Sequence, residues 1–187
     1  MNERRPFGSP TSPVEAVAAA AAALAPPFRL AVTPSSTRIR LESEDPGLPD
    51  VELSLVRDGR LFSRTWPLVV DAVGEGPGPP GPTSLRLHRP RVRGSPRLTG
   101  PPSSDPWAGR FEEAGLVAGA MTMTGIQDLR LTWTPDERRW WLRLQTLAGA
   151  LIGTAPGSSI AVPLEPDDVD GLLRVLRAFV RALATPA

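Results

Sequence analysis

Lysine, cysteine and tyrosine are absent from this sequence, and histidine and asparagine occur once each, as His88 and Asn2. All 21 basic residues are therefore arginine. Each absence removes a class of chemistry. Without lysine or cysteine there is no amine or thiolate nucleophile for covalent catalysis. A P-loop needs its lysine to reach phosphates, so nucleotide hydrolysis of that kind is excluded. Zinc sites of the Cys/His type need several ligands, which one histidine cannot supply. A Ser-His-Asp triad would have to use His88, and no G-x-S-x-G elbow presents a serine to it. What survives is carboxylate chemistry, as general acid–base pairs or as a hard-cation site of oxygen ligands. The bias itself matches a GC-rich coding sequence, because the lysine-free chain is rich in Arg, Ala, Pro and Gly.

A length of 187 residues suits one domain, or two small halves sharing a core. The net charge of +1 gives no global attraction to nucleic acid or to an anionic membrane. The lack of cysteine removes disulfides and fits a reducing compartment. No apolar run reaches the length of a membrane span. The expected location is cytoplasmic. A competing signal is Arg4-Arg5-Pro6-Phe7, which has the form of a twin-arginine export motif ahead of the alanine-rich stretch 16–25. Against export, Glu15 opens that stretch, alanine is weakly hydrophobic, and prolines separate it from the arginines. Ser12-Pro13-Val14-Glu15 reads instead as a capping box with proline at the first helical position, and Pro26-Pro27 is a stop. A helix over 13–25 follows, preceded by a disordered tail over 1–11.

Beyond that helix, alternation predicts strands over 28–32 and 37–42, the second with Ile39 and Leu41 on one face and Arg38 and Arg40 on the other. Asp58-Gly59 predicts a two-residue hairpin between strands 51–57 and 60–66. That pairing places Arg64 opposite Leu53 on the apolar face, which demands a bulge or a buried acidic partner. Residues 74–106 are rich in Pro and Gly and read as a loop or linker, with one edge strand over 85–93. A short helix over 107–114 is closed by Gly115, and 116–124 is ambiguous between helix and strand. Strands 129–134 and 139–147 form the clearest hairpin, turning at Pro135-Asp136-Glu137-Arg138, with Trp133 opposite Trp140. A short strand covers 158–164. Val169, Leu172, Leu173, Leu176, Phe179, Val180 and Leu183 then recur at helical spacing, with acids at the start and arginines toward the end.

The hairpin segments also match one another. Arg29-Leu30 and Arg38-Ile39-Arg40-Leu41 lie without a gap on Arg130-Leu131 and Arg139-Trp140-Trp141-Leu142, with Thr33-Pro34 on Thr134-Pro135. Either the chain is an internal repeat of two halves about a pseudo-two-fold axis, or two hairpins share turn chemistry. The expected fold is α+β: a mainly antiparallel, twisted sheet of short strands, flanked by amphipathic helices at both ends.

Two clusters are candidate binding sites. Trp141 falls on the polar face of its strand beside Arg139 and Arg143, across from Thr132 and diagonal to Arg130. Tryptophan among arginines is the composition of an interface hot spot; the alternative is a ring covered by a helix, with arginines stacked on it. Arg86, Arg89, Arg91 and Arg93, with His88, have no acid between Glu75 and Asp105 to offset them. They could track phosphates, but the segment has no aromatic residue for stacking, and a solvated face explains it as well. Asp168-Val169-Asp170-Gly171 fails as a calcium loop, because the first and twelfth positions would be Pro166 and Arg177. No catalytic residue, metal site or cofactor is nominated. The expected function is a non-enzymatic binding or regulatory module working through protein contacts, with a protein partner or a homodimer, and nucleic acid disfavoured. A pocket protein for an apolar or anionic small molecule is the second reading, and a carboxylate-based hydrolase the third.

Overall fold

Ser12 opens the first helix, α1 (Pro13–Leu24), as its spacing predicts. The Ser12 hydroxyl accepts from the Glu15 amide at 3.3 Å, and the Glu15 carboxylate accepts from the Ser12 amide at 2.8 Å. In this computed structural model residues 12–31, 37–57, 64–90, 94–155 and 158–184 are described. They build an α+β fold in which the described helices lie over one face of an antiparallel sheet of nine strands. The strands are β1 (Phe28–Leu30), β2 (Arg38–Ser43), β3 (Val51–Leu55), β4 (Arg64–Glu75), β5 (Thr83–His88), β6 (Arg97–Thr99), β7 (Ile126–Thr134), β8 (Arg139–Ala155) and β9 (Ser158–Ala161). Their order across the sheet is β1-β2-β3-β4-β8-β7-β5-β6, with β9 added to the far half of β8. The 17-residue β8 and 12-residue β4 are the spine on which the shorter strands assemble.

Alternation along these strands divides the sheet into a core face and an open face. Ile39, Leu41, Leu53, Val70, Leu85, Leu129, Leu131, Leu142 and Leu144 are buried on the first. Against them pack α1, α2 (Asp105–Glu113), α3 (Leu116–Thr122) and α4 (Pro166–Ala184). Gly115, at φ 90°, ends α2 and turns the chain into α3, which resolves the ambiguity of that stretch as helix. The buried stripe of α4 is Leu172, Val175, Leu176, Phe179, Ala182 and Leu183, with Val169 and Leu173 only partly covered. The stripe is turned from the expected one because α4 packs on α3 as well as on the sheet. Gly119 and Gly171 let the two helices approach: a Cβ on Gly171 would stand 2.5 Å from Met123 Cγ.

The hairpin of β7 and β8 has the predicted register, Trp133 opposite Trp140 and Leu131 opposite Leu142. The β3–β4 pairing differs. Val51 lies opposite Ala72 and Leu53 opposite Val70, not Arg64. Arg64 instead pairs with Gly153 of β8, so its placement opposite Leu53 is corrected. The Asp58-Gly59 turn and Phe62 lie outside the described residues, as do residues 1–11 with Arg4-Arg5 and the turn at Thr33-Pro34. β5 is not the edge: β6 pairs along its outer side. The first copy of the suspected repeat, β1–β2, has the register of the second, Leu30 opposite Leu41 where β7–β8 has Leu131 opposite Leu142. One copy sits at the sheet edge and the other at its centre.

The segment after β4 folds onto the aromatic core. Trp140 Nε1 donates to the Pro77 carbonyl at 2.9 Å and Trp133 Nε1 to the Pro79 carbonyl at 2.8 Å. Both indole N–H groups of the buried pair are thereby satisfied, as burial of a polar group requires. Only glycine fits between these prolines, because a Cβ on Gly78 would lie 2.2 Å from the Trp133 ring. Among the described residues, no helix is long and apolar enough to cross a membrane.

Candidate functional site

On the open face, rows of side chains cross the strands at right angles. One row is wholly ionic. Register places Arg40 (β2) beside Glu52 (β3), Glu52 beside Asp71 (β4), and Asp71 beside Arg143 (β8). Arg143 then stands beside Arg130 (β7), and Arg130 beside Arg86 (β5). The next row is Val73, Trp141 and Thr132, and a third sets Glu75 against Arg139. These rows border a trough of about 960 Å³ running over β2, β3, β4, β8 and β7. Trp141 stands in it with 42% of its surface exposed. Arg130, Arg139, Trp141 and Arg143, the four residues singled out in sequence, all line it. No described helix covers this face, so the reading of Trp141 as a covered core ring does not apply.

The arginines are not alone. Arg143 holds Asp71 side-on, Nε to Oδ1 at 2.7 Å and Nη2 to Oδ2 at 2.9 Å, the two-pronged geometry a guanidinium offers a carboxylate. The Asp71 carboxylate, and secondarily Glu52, raise the Arg143 pKa above the ordinary arginine value. Arg40 pairs with Asp50 at 3.3 Å, Arg139 with Glu75 at 3.2 Å and Arg38 with Glu52 at 3.5 Å. Asp128 serves two cations, Arg86 Nε at 2.6 Å and Arg130 Nη2 at 3.6 Å. Like charges directly opposite one another destabilise a sheet; Asp128 and Asp71 offset the run Arg143–Arg130–Arg86. Each such exposed pair contributes about 1 kcal/mol or less. Their effect is on pattern more than on stability: the trough is charge-balanced, with acids toward β3–β4 and arginines toward β8–β7–β5.

The second cluster is not brought together in the same way. Arg86 belongs to the ionic row. His88 is exposed opposite Arg97 at the far end of β5, and Arg89 is exposed in the loop beyond it. Arg91 and Arg93 lie outside the described residues. The acid missing from this segment's own sequence comes from β7, as Asp128. Asp71, Glu52 and Glu75 were likewise not identified from sequence, although strand alternation would have placed Asp71 opposite in face to Val70 and Ala72 once β4 was extended to Glu75. Elsewhere, Asp168 stands in the first turn of α4 as expected and is also a buried tether: its Oδ1 accepts from the Thr124 amide at 2.6 Å. Among the described residues no three His, Asp or Glu side chains gather as metal ligands. The chain matches no family model, no curated protein and no solved structure.

Proposed function

We propose that the open sheet face is a protein-contact surface and that the chain is a non-enzymatic binding or regulatory module. The observation that carries this reading is the half-exposed Trp141 on the open part of the sheet face, set among guanidinium groups. The exposed part of the indole gains nothing for the fold, whereas tryptophan and arginine are the residues enriched in interface hot spots. The trough is within the size range of a small-molecule pocket. That second reading is weakened by its charge: Arg40, Arg139 and Arg143 each already hold a carboxylate, which an anionic ligand would have to displace. The same pairs tie up Asp50, Glu75 and Asp71, which weighs against an acid–base pair or an uncompensated cationic stripe within this trough.

Affinity capture with wild type and Trp141→Ala tests the proposal. Loss of a central tryptophan is expected to weaken a partner's binding by about 2 kcal/mol, roughly 30-fold, with the unfolding transition unchanged. An unaltered set of partners on a folded Trp141→Ala protein would sink it.

A further inference from the structure

The ionic row has an order that becomes informative under symmetry. From β2 to β5 it reads Arg40, Glu52, Asp71, Arg143, Arg130, Arg86, so two acids flank the midline on one side and two arginines on the other. Consider two copies stacked face to face about a two-fold axis parallel to the strands, between β4 and β8. The operation exchanges the third position with the fourth, the second with the fifth and the first with the sixth. Asp71 of one copy then meets Arg143 of the other, and Glu52 meets Arg130, each contact occurring twice as an isologous interface requires. The next row obeys the same axis: Trp141 of one copy comes over Val73 of the other, and the two indoles enter the depression from both sides. An axis across the strands, laid along the ionic row, would instead set each residue on its own copy, acid on acid and arginine on arginine. Charge therefore selects one stacking geometry of the two.

We infer that the occupant of the open face is a second copy of this chain, in a two-fold, sheet-on-sheet dimer centred between Trp141 and Val73. The inference rests on the reading of this face as a contact surface. The like-charged ends, Arg40 and Arg86, fall at the rim, where each keeps its own acid, Asp50 or Asp128, and where salt screens the repulsion. Six strands about 4.8 Å apart span roughly 24 Å, and the rows from Asp71 to Glu75 cover roughly 14 Å along the strands, so about 340 Å² per copy would meet. That area belongs to a reversible dimer rather than an obligate one.

Sedimentation velocity over a dilution series, with charge-reversed variants mixed, tests it. Wild type is expected to associate with concentration. Glu52→Arg and Arg130→Glu, each placing like charges at two symmetric contacts, are expected to remain monomeric at the same concentrations, with a weakening of about tenfold or more. An equimolar mixture of the two is expected to regain dimer, since both exchanged contacts are then between opposite charges. The regain cannot come from repair within a chain, because Glu52 pairs internally with Arg38 and Arg130 with Asp128. If a reversal impairs folding, Glu52→Gln and Arg130→Gln carry the test, each expected to weaken association. A wild type that is monomeric throughout, variants that dimerise like wild type, or a mixture that does not recover would each overturn the inference. A monomeric wild type that still captures a protein through Trp141 overturns the dimer alone and leaves the contact surface standing. A dimer indifferent to Glu52→Arg, Arg130→Glu and Trp141→Ala counts against both.

Discussion

Two adjacent residues of the same kind, Trp140 and Trp141, divide the properties of this protein between them. Strand alternation sends Trp140 into the core, where its ring lies 5.4 Å from Trp133 and 5.0 Å edge-on from Phe111. It sends Trp141 to the opposite face and to solvent. Truncating Trp140 removes a fully buried ring and orphans the Pro77 carbonyl, so Trp140→Ala is expected to cost about 3–5 kcal/mol in urea unfolding. Trp141→Ala is expected to stay within about 0.5 kcal/mol of wild type in the same measurement. A large loss of stability at Trp141 would mean that the ring is structural. Gly78→Ala is a third residue-scale test: the added methyl would enter the Trp133 ring, and a loss of about 1–3 kcal/mol is expected.

At the scale of elements, helices are joined to the sheet by a few polar ties. Asp45, in the turn between β2 and β3, accepts from the Gly47 amide at 2.8 Å and from Arg177 of α4 at 3.2 Å. The Gly47 hydrogen bond first, and then Arg177, hold its pKa below the ordinary aspartate value. A carboxyl depressed in the folded state stabilises above its unfolded pKa, and that contribution is lost as pH falls through the folded value. Asp45→Asn is therefore expected to flatten the fall of Tm with pH below roughly pH 4, relative to wild type, in thermal melts. An identical acid dependence would show that the tie is without effect. The elements were unequally legible in the sequence. The β7–β8 hairpin could be placed to the residue because a four-residue turn with Arg138 at φ 51° closes it directly, so Trp141 could be assigned its face and its neighbours. The β3–β4 pairing could not, because a strong Asp-Gly signal implied a tight turn whose register disagrees with the buried alternation Val51, Leu53, Leu55 against Leu68, Val70, Ala72. That error concealed Asp71, and with it the fact that the arginines of the site have acidic partners. The rotation of α4 was hidden for a related reason: hydrophobic periodicity reports one apolar stripe, while contact with α3 through Gly119 and Gly171 depends on small residues that carry no hydrophobic signal.

For the whole molecule, the consequence of placing the described helices on one side is a sheet face left open around Trp141. Its rows of arginine and carboxylate are paired, and Trp141 stands exposed among them. On the proposed reading, such a face gains by meeting a surface that excludes water from the indole and complements the row from Arg40 to Arg86. The most direct test of that central claim is hydroxyl-radical footprinting of Trp141, read by mass spectrometry in dilute purified protein and in native extract at cellular concentration. The account predicts an oxidisable Trp141 in the dilute protein, a protected Trp141 in the extract, and an unreactive Trp140 in both. Equal oxidation of Trp141 under the two conditions would contradict it.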